Sequence, residues 1–197
     1  AARQNPATRL FADTFDTLAF AVARAPDRGL VVELGVRHGT SLRFLAARCA
    51  PSRVHGFDSF AGLPGPWGVQ AAGLYSTGGS LPDLPASAQL HPGWFVATLP
   101  AFLESFDGPL RLVHVDCDLY SSTAEALELL APRIEPGTVV VFDEYLGNPG
   151  WQDEEHRAWT EAAGRHGYGF DYLAFSLFTK QAVVRVTSVS PPARRHG

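Results

Sequence analysis

The residues of this sequence best equipped for chemistry are four carboxylates, Asp116, Asp118, Asp143 and Glu144. They follow two apolar, β-branched runs, 110–115 and 138–142, that read as buried parallel strands. Between the runs, Ser121, Ser122 and Thr123 offer helix N-caps and Glu125 suits a first turn. Leu127, Leu129 and Leu130 continue an apolar helical face until Pro136-Gly137 stops it. The unit is βαβ, and open α/β sheets bind ligands at the carboxyl ends of their parallel strands. Asp116, Asp143 and Glu144 are therefore expected at one mouth. Carboxylates so placed repel one another and recruit a cation, and an all-oxygen set suits Mg²⁺, Ca²⁺ or Mn²⁺ rather than zinc. Asp118 reads as a solvating or helix-capping residue.

Two upstream strand ends face the same mouth. Residues 30–34 read as a central strand, followed by a turn bounded by Gly35 and Gly39 and a helix from Ser41. Such a unit offers backbone N–H groups and a positive helix end to a ligand. It lacks the G-x-G-x-x-G spacing of dinucleotide folds, and Glu33, two residues before the first glycine, would repel a pyrophosphate. That acid suits a ligand bearing an ammonium or sulfonium group. Residues 53–57 form a second short strand ending in Asp58-Ser59, where a nucleoside ribose finds a hydroxyl partner. A cap or turn role is the alternative for Asp58.

The remaining elements must hold these ends in place. Asn5-Pro6 opens a covering helix within residues 1–28, with Leu10, Phe11, Phe15, Leu18 and Val22 at helical spacing. Residues 61–92, rich in glycine and proline with Trp67, Leu74 and Tyr75 as apolar anchors, read as a lid or substrate-facing loop. Gly93-Trp94-Phe95 leads into a helix over 97–106. A helix over 151–166 follows a second turn-rich loop, and runs 168–175 and 182–187 finish the sheet as an antiparallel pair. Residues 188–197 read as a frayed tail.

With 197 residues and 46% hydrophobic content, the chain fits one domain with a sizeable core. A net charge of −4 without a basic tract gives nucleic-acid binding no support. No apolar run approaches membrane-spanning length and no signal peptide is visible, although the absence of an initiator Met leaves a trimmed start open. Cys49 and Cys117 do not suggest a disulfide framework, which points to a reduced, cytoplasmic setting. A homo-oligomer is compatible with the sequence, which leaves oligomeric state open.

The stretches ELGVRHGTS, HGFDSFAGLP, HPGWFVATLP, VDCDLYSST and VVVFDEY, in this order, resemble the class I S-adenosylmethionine (SAM) methyltransferases. The nearest group is the macrocin/mycinamicin-type sugar O-methyltransferases. The resemblance covers residues 30–151 and implies a Rossmann-like α/β fold, with a mostly parallel seven-stranded sheet, an antiparallel last strand and helices on both faces. It implies that Glu33 and the Gly35–Gly39 turn hold the methionine end of SAM, with Thr40 and Ser41 at the helix start. Asp58 would bind the ribose hydroxyls beside Ser59, and Gly93 and Trp94 would border the adenine. Asp116 would be a metal ligand and candidate base, with Asp143 and Glu144 completing a Mg²⁺ site or that of another divalent cation. Many relatives have Asp-Asp where this chain has Asp143-Glu144, so the longer Glu144 is the weakest ligand. Catechol-type relatives carry a lysine base at the position of Leu119, which disfavours their mechanism here.

The expected activity is methyl transfer to a hydroxyl of a small molecule, a sugar or natural product. A SAM-binding module without turnover and an NAD-dependent oxidoreductase are the competing readings. His114 is expected to point into the core, and His38, His55 and His91 to be structural or superficial.

Overall fold

The computed structural model describes residues 8–190. In chain order the strands are β1 (Arg9–Phe11), β2 (Leu30–Leu34), β3 (Val54–Asp58), β4 (Ala88–Pro92), β5 (Leu110–Val115), β6 (Val139–Phe142), β7 (Tyr168–Ser176) and β8 (Ala182–Val189). The helices are α1 (Thr14–Val22), α2 (Thr40–Arg48), α3 (Phe95–Ser105), α4 (Tyr120–Leu130) and α5 (Glu155–His166). The strands form one sheet in the order β1-β7-β8-β6-β5-β2-β3-β4. Only β8 runs against its neighbours; the other ladders are parallel. This is the Rossmann-like α/β arrangement expected, with eight strands rather than seven.

The extra strand is β1, which corrects the covering helix expected over residues 1–28. Residues 9–11 pair with β7, and Leu10 is 67% exposed rather than packed. The helix starts later because Asp13 caps it: its carboxylate accepts from the N–H groups of Phe15 at 2.8 Å and Asp16 at 3.1 Å. The expected start at Asn5 and Pro6 lies outside the described residues. Similarly, the last five residues of the 61–92 loop are the edge strand β4. Its Ala-Gln-Leu-His-Pro sequence gives a weak strand signal, and an edge position tolerates Pro92. At the other end β8 extends through Val189, so residues 188 and 189 belong to the sheet; 191–197 lie outside the described residues. The helix expected over 151–166 opens as a 3₁₀ turn, Trp151–Asp153, before α5.

Alternation along the strands feeds two apolar layers. Val31 packs with Leu18 of α1 and Leu42 and Leu45 of α2. Val32 and Leu34 pack with Leu99 and Phe102 of α3, Leu127 and Leu130 of α4 and Trp159 of α5. The strand order reverses between β2 and β5, which is where open parallel sheets leave a crevice for a ligand. Backbone bonds beyond the strand ends keep that crevice in register: Gly35 N–H to Phe57 O (2.9 Å), Asp116 N–H to Leu34 O (2.8 Å) and Asp143 N–H to Val115 O (2.9 Å). No helix among the described residues is long and apolar enough to cross a membrane.

Candidate active site

A cleft of about 550 Å³ opens at the reversal point. Its floor is built from the ends of β5 and β6. Asp116 and Asp143 leave these strands side by side, and His114, two residues before Asp116 on the same strand face, lies beneath them. One ligand-type atom from each of His114, Asp116 and Asp143 falls within 4.8 Å of the others. His114 Nδ1 is 2.9 Å from Glu33 Oε1, and Nε2 is 3.8 Å from Asp143 Oδ1. Glu33 and His114 are both fully buried. His114 is thus a core residue, as expected, but one that joins the acid of β2 to the acid of β6.

Electrostatics on this floor are strained. Burial pushes the Asp116 carboxyl well above its ordinary range, and the negative charge of Asp143 adds to the shift against the opposing pull of His114. Burial works against a charged His114, yet the Asp143 and Glu33 carboxylates outweigh it and raise the imidazole. Asp118 is raised to about 7 by burial, Glu144 and Asp143. Buried Glu155 is raised by burial and by Asp143, against the N–H it accepts from Glu144. A cation among these groups would relieve all three acids, so the donor set fits one.

The consequence for stability has a definite sign. Between pH 3.8 and about 7 the folded chain keeps a proton on Asp118 that the unfolded chain has released. EDTA-treated protein should therefore lose thermal stability as pH rises through that window. A flat melting temperature across it would contradict the burial of Asp118.

Of the expected cofactor residues, Gly35, Asp58, Ser59, Gly93 and Trp94 line the cleft. Glu33 lies behind it, reaching the floor through His114. Gly39, Thr40 and Ser41 do not line it; Gly39 instead backs onto Pro82 and Leu84, which a Cβ there would meet at 3.1 and 2.9 Å. Asp58 also does the turn work that the sequence offered as its alternative role. Oδ2 accepts from the N–H groups of Val36 (2.8 Å) and Arg37 (2.7 Å), and Oδ1 from that of Phe60 (2.7 Å). Its carboxylate fastens the glycine turn to the end of β3 while lining the cleft.

Asp58→Ala should accordingly weaken SAM binding by roughly 1–3 kcal/mol and also lower the melting temperature, because two part-buried N–H groups and one exposed N–H lose their acceptor together. Calorimetry with S-adenosylhomocysteine checks the first effect. A lower melting temperature with unchanged affinity would make Asp58 a turn clamp alone.

Glu144 lines the mouth but stands outside the tight trio. Its carboxylate accepts from Asn148 Nδ2 and lies 3.3 Å from Lys180 Nζ. Gln181, fully buried in the β7–β8 turn, donates from Nε2 to Asp143 Oδ1 at 2.6 Å. Nothing in the sequence marks Gln181 or Lys180, since a hairpin turn brings them to acids encoded far upstream. Ser121 and Ser122 line the cleft rather than cap α4, whose first N–H is taken by the Glu154 carboxylate at 2.8 Å. Asp118 lines it too, at φ 61°, a left-handed backbone that is uncommon outside glycine and turns its carboxyl into a crowded site.

Over the cleft stands the loop from Ala61. Leu63 and Leu74 pair through backbone bonds, Gly62 sits against the carbonyls of Gly73 and Leu74, and Tyr75 stacks under the Arg37 guanidinium at 4.8 Å. Residues 65–72 carry few such ties and are largely exposed. Hydrogen exchange should show them protected when S-adenosylhomocysteine binds; equal protection in both states would make the loop static.

The methyltransferase domain family matches residues 32–145, more than half of the chain. The chain belongs to this family. A tetracenomycin-type 8-demethyl-8-(2,3-dimethoxy-alpha-L-rhamnosyl)-tetracenomycin-C 4'-O-methyltransferase of Streptomyces olivaceus is 48% identical over 54 residues, 27% of this chain and 20% of that protein. Demethyldecarbamoylnovobiocin O-methyltransferase of Streptomyces niveus is 39% identical over 70 residues, 34% of this chain and 25% of that one. The matched segments thus span a quarter or less of those relatives. The crystal structure of the calicheamicin methyltransferase CalS11 superposes with a TM-score of 0.66 at 25% identity, covering 87% of this chain and 77% of CalS11. The methyltransferase-domain match contains Glu33, Asp58, Asp116, Asp118, Asp143 and Glu144, but not Glu155. It stops short of Lys180 and Gln181, so the hairpin that grips Asp143 and Glu144 lies beyond the matched region.

Proposed function

We propose that this chain is a SAM-dependent O-methyltransferase that methylates a hydroxyl of a small molecule, a sugar or sugar-bearing natural product, with help from a divalent cation. The macrocin/mycinamicin-type enzymes are the group within the family that its motifs resemble. One observation carries the reading: a single cleft is lined by Gly35 of the glycine turn, by Asp58 and by the Asp116–Asp143 pair. That is room for a nucleoside with its reacting end directed at two carboxylates. The rhamnosyl group in the name of the Streptomyces olivaceus relative supports the acceptor class, and two free, buried cysteines agree with a reducing cytoplasm.

SAM, when bound, supplies a methyl group on a sulfonium, which the acceptor oxygen takes in line while the thioether leaves with the bonding pair. The chain's own work is alignment and proton removal. Alignment between the glycine turn and the floor can supply several of the roughly 7–11 kcal/mol available from proximity. Asp116 is the base: its carboxylate lines the cleft beside Asp143 and, in its ionised form, can accept the hydroxyl proton. Gln181 fixes Asp143 from below, so Asp143 does not turn toward the acceptor. Asp116 and Asp143, with Glu144 at the margin, would hold a divalent cation, which would lower the hydroxyl pKa; Mg²⁺ is the expectation for oxygen ligands alone.

Calorimetry with SAM, NAD⁺ and Mg²⁺, followed by methyl transfer to glycosylated acceptors with and without EDTA, tests this. SAM binding with EDTA-sensitive turnover is expected. Binding of NAD⁺ in place of SAM would make the chain an oxidoreductase, and EDTA-insensitive turnover would remove the cation from the mechanism.

A further inference from the structure

The trio on the floor contains a nitrogen. His114 has a side chain only 1% exposed, and its Nε2 has no hydrogen-bond partner among the described residues. An orphaned ring nitrogen in a core is costly unless something occupies its lone pair. Its other nitrogen is spoken for: Glu33 Oε1, an acceptor when ionised, sits 2.9 Å from Nδ1 and so fixes the proton there. Nε2 is directed at the floor, 3.8 Å from Asp143 Oδ1, where a metal ion would take the place of the proton that the neighbouring carboxylates otherwise favour. A carboxylate holding the far nitrogen of an imidazole is how ligating histidines are usually oriented.

Meanwhile the third carboxylate is drawn away. Glu144 is engaged by Asn148 and by Lys180, the chain's one lysine, and is absent from the group whose ligand atoms lie within 4.8 Å. An ammonium ion paired with Glu144 offsets the charge that a third oxygen ligand would bring.

We infer that His114 Nε2, Asp116 and Asp143 form a mixed nitrogen–oxygen site whose ion is a transition-metal dication of the Mn²⁺ class rather than Mg²⁺. This rests on the reading that the cleft holds a divalent cation. Mg²⁺ favours oxygen ligands and keeps its waters, whereas imidazole beside carboxylates suits Mn²⁺, Fe²⁺ and Co²⁺. Glu33 then has a double duty: it backs the cofactor end of the cleft and orients a metal ligand.

Manganese, added alone to the full chain, is the probe. Loss of the free-ion paramagnetic resonance signal gives affinity, with Mg²⁺ as competitor, and spin-echo modulation reads ¹⁴N bound to the ion. One Mn²⁺ is expected to bind about tenfold or more tightly than Mg²⁺, with imidazole nitrogen modulation. His114→Gln should erase the modulation and weaken Mn²⁺ by tenfold or more, with little change for Mg²⁺. Glu33→Gln should keep the modulation but weaken Mn²⁺ roughly 10- to 100-fold, as loss of an orienting partner does. Because the modulation is read on the unmodified chain, the test survives a variant that fails to fold. Bound Mn²⁺ without nitrogen modulation, or His114→Gln with unchanged Mn²⁺ affinity, overturns the inference and leaves His114 as a charged bridge between Glu33 and Asp143. If the unmodified chain binds SAM but neither ion at millimolar concentration, the cation reading itself fails.

Discussion

Asp116→Asn should reduce methyl transfer by roughly 10²–10⁴-fold while leaving far-ultraviolet circular dichroism and SAM affinity unchanged. The swap is nearly isosteric, and Asp116 makes its structural contact through the backbone, from its N–H to Leu34 O at 2.8 Å. That bond survives. What is lost is a carboxyl group that lines the cleft beside Asp143 and can act there as proton acceptor. Glu144→Gln should do far less, because Lys180 and Asn148 already hold that carboxylate at the margin. Equal losses in the two variants would mean that the acids act as a charge cluster, with no special base. Full activity in Asp116→Asn would transfer the base role to another cleft residue.

The second large effect is expected at a residue with no side chain. A Cβ on Gly35 would lie 1.8 Å from the carbonyl oxygen of Asp116, and the backbone there has φ +90°. Both the clash and the dihedral oppose any L side chain, and the neighbour is main chain, which has nowhere to rotate. Gly35→Ala should cost at least about 3 kcal/mol, or a melting temperature lower by roughly 6–12 °C for a domain of this size. Activity should fall further than stability, since relief of the clash moves β5 away from β2 and carries Asp116 with it. Calorimetric melting alongside turnover below the transition separates the two. An alanine variant that melts like the parent would show that the two strand ends are farther apart than described.

These effects also mark how far the sequence could be read. The central strands β2, β5 and β6 were legible because each is a largely β-branched, apolar run with an acid at or near its end, a pattern that burial on both faces produces. Five expected cofactor residues and all three expected metal ligands line the cleft. Gly39, Thr40 and Ser41 do not, because the glycine turn uses its first glycine for close approach and its last to start α2 against Pro82 and Leu84. The edge strands were hidden for another reason. β1 and β4 pair on one side only, so their residues need not be apolar, and Leu10 and Phe11 fitted a helix just as well. His114 left a usable signal: it precedes Asp116 by two residues and so shares its strand face. Gln181 left none, because its role arises from a turn that local patterning does not connect to Asp143.

The insertion of β8 between β6 and β7 gives synthesis of this protein an order of its own. Asp143 leaves the ribosome 38 residues ahead of Gln181. Until the final hairpin emerges, β6 has a partner on one side only, and its Val-Val-Val-Phe edge is open to any other extended chain. A nascent or C-terminally clipped product thus carries the acids of the floor but nothing to hold them, beside an adhesive edge. Closing the sheet and securing Asp143 are a single event, reached only when the β7–β8 turn has emerged.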